Sequence, residues 1–331
     1  MTTHWMLNTY GDPLSAVQKF LGEVWSQAGL ESMFVPVRGP RGVGVMPLLV
    51  DERARLADVD PFAPLMTTNA APLVAELARE SGTAFIGAVL RPCEMRALSA
   101  LARRESLPLE HILLIGVDCL GTFPEEDYVW RVEKYGAERV TRDKLQFAPQ
   151  GGILAYRDRY ACQLCAVPMP EVADLSIEIL GVPAREAILI TTRDEPTAHR
   201  LQLEKITDGT ARPELIAQHE RMRATLVERH GHAQARMVRS LAADLPHDVP
   251  GLINFLDDCA PCQACLDACP LYNAELSSGR SGGMVSPAAV SRWLAECVEC
   301  GMCEAACPKH TPLALVMSNL HWDLLREWIT A

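Results

Sequence analysis

Two stretches near the carboxyl end repeat one spacing of cysteines. Residues 259–270 read CAPCQACLDACP and residues 297–308 read CVECGMCEAACP, each a Cys-x2-Cys-x2-Cys-x3-Cys-Pro run. Three closely spaced thiolates can wrap three corners of a 4Fe-4S cubane, while the fourth corner points away and takes a remote ligand. The spacing therefore predicts an exchange of the fourth cysteines. One cluster would sit on Cys259, Cys262, Cys265 and Cys307, and the other on Cys297, Cys300, Cys303 and Cys269. Zinc takes four ligands and has no use for two identical four-cysteine runs, each followed by proline.

Four of the twelve cysteines remain: Cys93, Cys119, and the Cys-x2-Cys pair Cys162 and Cys165. The pair alone fits a zinc knuckle, a redox dithiol or half of an iron–sulfur site. Four cysteines are what a third cubane needs.

The elements that must position these residues follow from periodicity. Leu14, Val17, Phe20, Leu21, Val24 and Trp25 fall at helical spacing behind Asp12-Pro13. MFVPVRG and GVGVMPLLV are short β-rich stretches, and APLVAELARESG is a helix ending at Gly82. TAFIGAVLRPC and HILLIGVDC are apolar strands that each end at a cysteine, with the helix EMRALSALARRESL between them. Continuous apolar strands alternating with helices predict an α/β core with a mainly parallel sheet. Cys93 and Cys119 then lie at the carboxyl ends of adjacent strands, the edge where such sheets bind ligands. Cys93 also opens a helix, whose N-terminus favours a thiolate or an anionic cluster. GGILAYRDRY is expected as a strand leading into Cys162, PEVADLSIEILGV as a helix and REAILITTR as a strand, with Cys162 and Cys165 on the loop between strand and helix.

Residues 196–250 are expected to form one or two helices, breaking near Gly231 between His230 and His232. Residues 251–331 form a helix-rich, ferredoxin-like dicluster domain after the 1–195 core and this linker. Within it SPAAVSRWLAEC is a helix with Ser286 as N-cap and Pro287 in its first turn. The long insert between the runs resembles the helix-rich dicluster domains of fumarate reductase-type and heterodisulfide reductase-type subunits. TPLALVMSNLHWDLLREWIT is an amphipathic helix through Leu313, Leu315, Val316, Leu320, Trp322, Leu324, Leu325 and Trp328. It lacks the Lys/Arg face of a membrane-surface helix.

The 331 residues are 49% apolar and 22% charged, with a net charge of −11. An acidic chain is a poor nucleic-acid binder, which needs a basic surface. No apolar run is long enough to span a bilayer, and the first twenty residues lack a secretory pattern, so a cytoplasmic location is expected. A reducing compartment argues against six disulfides and for metal.

GAVLRPCEMRALSAL, LLIGVDCLGTF and CQLCAVPMPEVADLSIEILGV resemble the coenzyme F-420 hydrogenase/dehydrogenase beta-subunit family. The matching positions are Pro92, Cys93, Glu94, Gly116, Cys119, Cys162, Cys165, Ala173, Asp174, Ser176 and Gly181, within about residues 60–195. The resemblance implies a 4Fe-4S cluster on Cys93, Cys119, Cys162 and Cys165 beside an FAD, with coenzyme F-420 as substrate. The dicluster domain that follows matches the layout of a formate dehydrogenase beta subunit. Where family members carry a Gly-rich stretch, this chain has MTTNAAPLVAEL, with Ala70 and Ala71 in place of glycine. Thr67, Thr68 and Asn69 would then be donors to a flavin, and Arg91 would neutralise a flavin phosphate or the cluster.

Two functions follow as expectations. One is an iron–sulfur, flavin-containing electron-transfer subunit that passes electrons between a two-electron carrier and a partner. The partner would be the catalytic or redox subunit of a hydrogenase, a formate dehydrogenase or a heterodisulfide reductase-like complex. The alternative is a flavin-free electron wire bridging two partners through three clusters.

Overall fold

A computed structural model describes residues 3–80, 82–152, 158–240, 245–259, 262–272 and 287–330, with backbone alone for residues 41 and 322–330. The chain divides into two compact units. The first comprises Met1–Asp158 with Ala166–Glu228, and the second Arg159–Cys165 with Arg229–Ala331.

The first unit is built on one sheet. Strands β1 (Thr3–Asn8), β2 (Ser32–Arg38), β3 (Val45–Val50), β4 (Ile86–Leu90), β5 (Ile112–Val117), β6 (Leu175–Glu178) and β7 (Ala187–Thr192) are ordered β1-β7-β6-β5-β4-β2-β3. The central pairs β2/β4, β4/β5 and β5/β6 are parallel, and the outer pairs β1/β7, β6/β7 and β2/β3 are antiparallel. The parallel middle is apolar on both faces: every residue of β4 is buried, and β5 is nearly so.

Helix α1 (Pro13–Ala28) starts where Asp12 accepts from the Ser15 N–H and stops at Gly29, which has a left-handed φ of 65°. It buries Val17, Phe20, Leu21, Val24 and Trp25 in the main core, with Leu113, Ile115, Leu175, Ile177, Ile188 and Ile190 from the sheet. Helices α2 (Ala71–Glu80) and α3 (Pro92–Glu105) pack on each other. Helices α4 (Glu125–Tyr135) and α5 (Ala137–Leu145) form a second core through Tyr128, Val132 and Val140 with Val45, Leu65 and Phe123.

The segment expected to be a helix after Pro170 is instead strand β6. Its apolar residues suit a helix by spacing, but tertiary pairing decides. Leu175, Ser176 and Ile177 pair in parallel with Ile115, Gly116 and Val117. A Cβ on Gly116 would stand 2.3 Å from Pro170 Cβ, so this glycine lets the incoming loop lie against β5. Asp174 Oδ2 accepts from the Leu114 N–H at 2.9 Å, and Asp118 Oδ2 accepts from Ile179 and Leu180 at 2.8 and 2.9 Å. These two carboxylates anchor both ends of the short strand. Strand β1 and helices α4 and α5 are elements that the sequence pattern did not announce. Residues 153–157, half of the expected strand over 151–160, lie outside the described residues, and the other half is not strand.

The second unit begins with helix α6 (Tyr160–Leu164), which carries Cys162 where a loop was expected. Short helices α7 (Glu195–Arg200) and α8 (Leu203–Ile206) belong to the first unit. Helix α9 (Pro213–Arg239) runs unbroken through Gly231, because glycine is merely a weak helix former. Helices α10 (Val249–Asp258), α11 (Ala264–Asp267), α12 (Pro287–Ala295), α13 (Met302–Ala305) and α14 (Leu313–Thr330) complete the second unit. Its core is Leu252, Leu256, Leu266, Val290, Trp293, Leu294, Val316 and Leu320. Ser286 and the side chains of Trp322, Leu324, Leu325 and Trp328 lie outside the described residues. Among the described residues no helix is long and apolar enough to cross a membrane.

Candidate functional site

In the second unit the two cysteine runs have the same local shape. Cys259 caps α10, Cys265 lies on α11, Cys297 follows α12, and Cys303 lies on α13. The residue after the second cysteine of each run is left-handed: Gln263 has φ 48° and Gly301 has φ 68°. That turn lets consecutive thiolates face a common side. Cys265, Cys269, Cys297 and Cys303 pack against the apolar core, while Cys262 is exposed.

The thiols influence one another across the runs. Burial, with Cys307 and Cys262 nearby, pushes the Cys265 thiol up to about 11. Burial, with Cys300 and Cys269 nearby, pushes Cys297 up, and burial with Cys300, Cys297 and Cys269 does the same to Cys303. Each group thus contains the last cysteine of the other run. Thiols held protonated in this way release protons when they ligate metal. Two sulfurs accept from side chains elsewhere in the unit: Trp293 Nε1 donates to Cys269 Sγ at 3.2 Å, and Lys309 Nζ to Cys259 Sγ at 3.3 Å. Among the described residues no three His, Cys, Asp or Glu side chains converge as ligands of a single metal ion. A cubane does not require that convergence, since each of its four irons takes its own thiolate. The all-cysteine donor set and the grouping of its thiols fit such clusters.

In the first unit, the parallel strands β4 and β5 deliver Cys93 and Cys119 to one edge of the sheet, with Leu90 paired to Gly116 just before them. Cys93 Sγ stands 4.0 Å from Met66 Sδ, and Cys119 Sγ accepts from the Gly121 N–H at 3.4 Å. Two clefts open at this edge. One is lined by Met66, Thr67, Thr68, Arg91, Glu94 and Val117. The other is lined by Ala63, Arg91, Asp118, Cys119, Gly121 and Ile179.

Arg91 lines both clefts and is buried. Its Nη2 donates to the Ala63 carbonyl, and its Nη1 has no hydrogen-bond partner among the described residues. Asn69 is buried too, with Oδ1 accepting from the Ala71 N–H at 3.0 Å and Nδ2 without a hydrogen-bond partner among the described residues. Thr68 is exposed at the mouth. Glu94 accepts from the Arg91 N–H at 2.8 Å and from the Ala70 N–H at 3.2 Å. The backbone donors a glycine loop would offer are therefore already used at Ala70 and Ala71. The unpartnered donors of Arg91 and Asn69 fit an anionic, carbonyl-rich cofactor.

Sequence reasoning passed over the carboxylates behind this edge. Among the described residues Asp118 Oδ1 is buried without a hydrogen-bond partner, and His219 Nδ1 lies 3.8 Å from Asp118 Oδ2 while its Nε2 lies 3.6 Å from Glu178 Oε2. Burial pushes the Asp118 carboxyl up, against the pull of His219. Burial works to lower His219, yet Asp118 and Glu178 together raise it. His219 comes from α9, far away in sequence, so no local pattern announces it.

Residues 84–203 match the family described as the C terminus of the coenzyme F420 hydrogenase/dehydrogenase beta subunit, and residues 252–308 match the 4Fe-4S dicluster domain. The F420-dependent formate dehydrogenase subunit beta of Methanocaldococcus jannaschii is 22% identical, over 70% of this chain and 69% of its own length. The F420-dependent formate dehydrogenase 1 subunit beta of Methanococcus maripaludis is 26% identical, over 37% of this chain and 36% of its own. A chain of the F420-reducing NiFe hydrogenase complex from Methanosarcina barkeri shares the fold, with a TM-score of 0.50 at 11% identity, over 71% of this chain and 91% of that chain. The α/β sheet and the dicluster domain define an iron–sulfur electron-transfer protein. Residues 84–203 thus resemble the coenzyme F420 hydrogenase/dehydrogenase beta subunit in its C-terminal part, and a 4Fe-4S dicluster domain follows them.

Proposed function

We propose that the protein takes electron pairs from coenzyme F420 through an FAD at the carboxyl edge of the sheet and delivers single electrons to a partner subunit. Two cubanes are assigned to Cys259, Cys262, Cys265 and Cys307, and to Cys297, Cys300, Cys303 and Cys269. The mutual influence of the thiols within each group supports this. A third is assigned to Cys93, Cys119, Cys162 and Cys165, on their order in the sequence and the family resemblance. When bound, a flavin would supply the exchange between paired and single electrons, and each cubane a one-electron store. The partner is a formate dehydrogenase-type catalytic subunit, in line with the names of the relatives.

The observation that carries the flavin is Arg91, a buried guanidinium with an unpartnered Nη1 at the cleft. It offers a phosphate charge and a donor in one group. Asn69 adds a second donor, and Glu94 fixes the backbone around both. Arg91→Gln is expected to weaken FAD binding about tenfold or more, the loss of one charge-assisted hydrogen bond worth roughly 1.5–3 kcal/mol. Iron content should stay at the parent level. Unchanged FAD affinity in a folded variant would contradict the assignment.

The flavin-free wire is the second reading. It is favoured by the engagement of the Ala70 and Ala71 N–H groups with Glu94 and Asn69. Failure of the iron-loaded protein to bind added FAD would decide for it.

A further inference from the structure

The segment Arg159–Cys165 belongs to the second unit, where it lies against the second cysteine run. Gly301, with φ 68°, makes the approach possible: a Cβ there would stand 2.2 Å from Ala161 Cβ. The Tyr160 backbone supplies a hydrogen bond to Glu304. The Cys162 and Gln163 N–H groups donate to the Arg159 carbonyl at 2.9 and 3.1 Å, closing the turn. The Arg159 side chain is buried, 7% exposed, and lies between the two cysteine segments. Its Nη1 donates to Met302 Sδ at 3.5 Å, next to Cys303, and its Nη2 stands 3.9 Å from Cys162 Sγ.

We infer that Arg159 is a positioning and potential-setting residue shared by the Cys162–Cys165 pair and the site on Cys297, Cys300, Cys303 and Cys269. A reduced cluster site carries one more negative charge than an oxidised one. A fixed cation within a few ångströms, shielded from water, stabilises that reduced form and raises the potential. Arginine suits the task because it stays charged when buried. The other site, on Cys259, Cys262, Cys265 and Cys307, has Lys309 at Cys259 instead and serves as an internal control.

The inference rests on the cluster assignments proposed above. Its test is an anaerobic redox titration of the full chain, followed by electron paramagnetic resonance, with iron content measured alongside. Signals are assigned by their loss in Cys162→Ala, Cys300→Ser and Cys262→Ser. In Arg159→Gln, with iron retained, the midpoints of the signals depending on Cys162 and Cys300 should fall. The signal depending on Cys262 should stay in place. Arg159→Lys, which keeps the charge, should restore most of the shift. Unmoved midpoints at full iron, or a shift confined to the Cys262-dependent signal, would overturn the assignment. Should Arg159→Gln lose iron, retention in Arg159→Lys supports the role. Loss in both overturns it, because the retained charge would then not matter. Iron near eight atoms per chain in the parent, about four per cubane, would instead fail the three-cluster reading itself.

Discussion

At the scale of single residues, the chemistry divides into the proposed ligands and the groups that touch them. The eight cysteines of the two runs are legible in the sequence because their spacing is local and the cubane imposes it. Trp293, Lys309 and Arg159 are not legible, since each reaches a sulfur from another element. Arg91 and Asn69 were readable as candidates from the resemblance. Their unpartnered atoms are visible in the fold alone. His230, read in the sequence as flanking a helix break, is instead buried in an unbroken helix beside the Gln163 backbone. Burial, with Arg229 nearby, pushes its imidazole down to about 4 from an ordinary 6.5. The unfolded chain then binds a proton below pH 6.5 that the folded chain refuses. Stability is full above that pH and falls as the pH drops toward 4, by at most ~1.4 kcal/mol per pH unit. His230→Leu should flatten this slope in anaerobic urea unfolding across that range. A slope unchanged from the parent would contradict it.

At the scale of elements, the continuous apolar strands β4 and β5 and the helices α1, α2 and α3 follow from pattern alone, because each satisfies its period locally. Strand β6 does not. Its four residues become a strand by pairing with β5 on one side and β7 on the other, a contact no local window contains. The family positions Gly116, Asp174, Ser176 and Gly181 gain physical reasons from this. Gly116 admits Pro170, Asp174 receives the Leu114 N–H, and Ser176 pairs with Gly116. Gly181, with φ 77°, turns beneath α9, where a Cβ would stand 2.6 Å from Met222 Cβ. Gly116→Ala is expected to overpack the β5–β6 contact and destabilise the protein by roughly 1–3 kcal/mol, read from chemical denaturation. An unaltered midpoint would show that the Pro170 loop yields freely.

At the scale of the whole molecule, the chain joins a sheet whose carboxyl edge carries Cys93, Cys119 and Arg91 to a helical unit that carries the two cysteine runs. The order of these parts was legible, because cysteine runs mark the second and strand–helix alternation the first. That the segment Arg159–Cys165 belongs with the second unit was not, because it is separated from Arg229–Ala331 by more than sixty residues of the first unit. The excess of acidic residues, 42 against 31 basic, leaves protein and small-molecule partners as the natural ones. We propose that one chain holds both a flavin and three cubanes. It is tested most directly by measuring iron and FAD in the full chain purified without oxygen. About twelve iron atoms and about one FAD per chain are expected. A fully iron-loaded protein without flavin, or one that saturates near eight iron atoms, would contradict it.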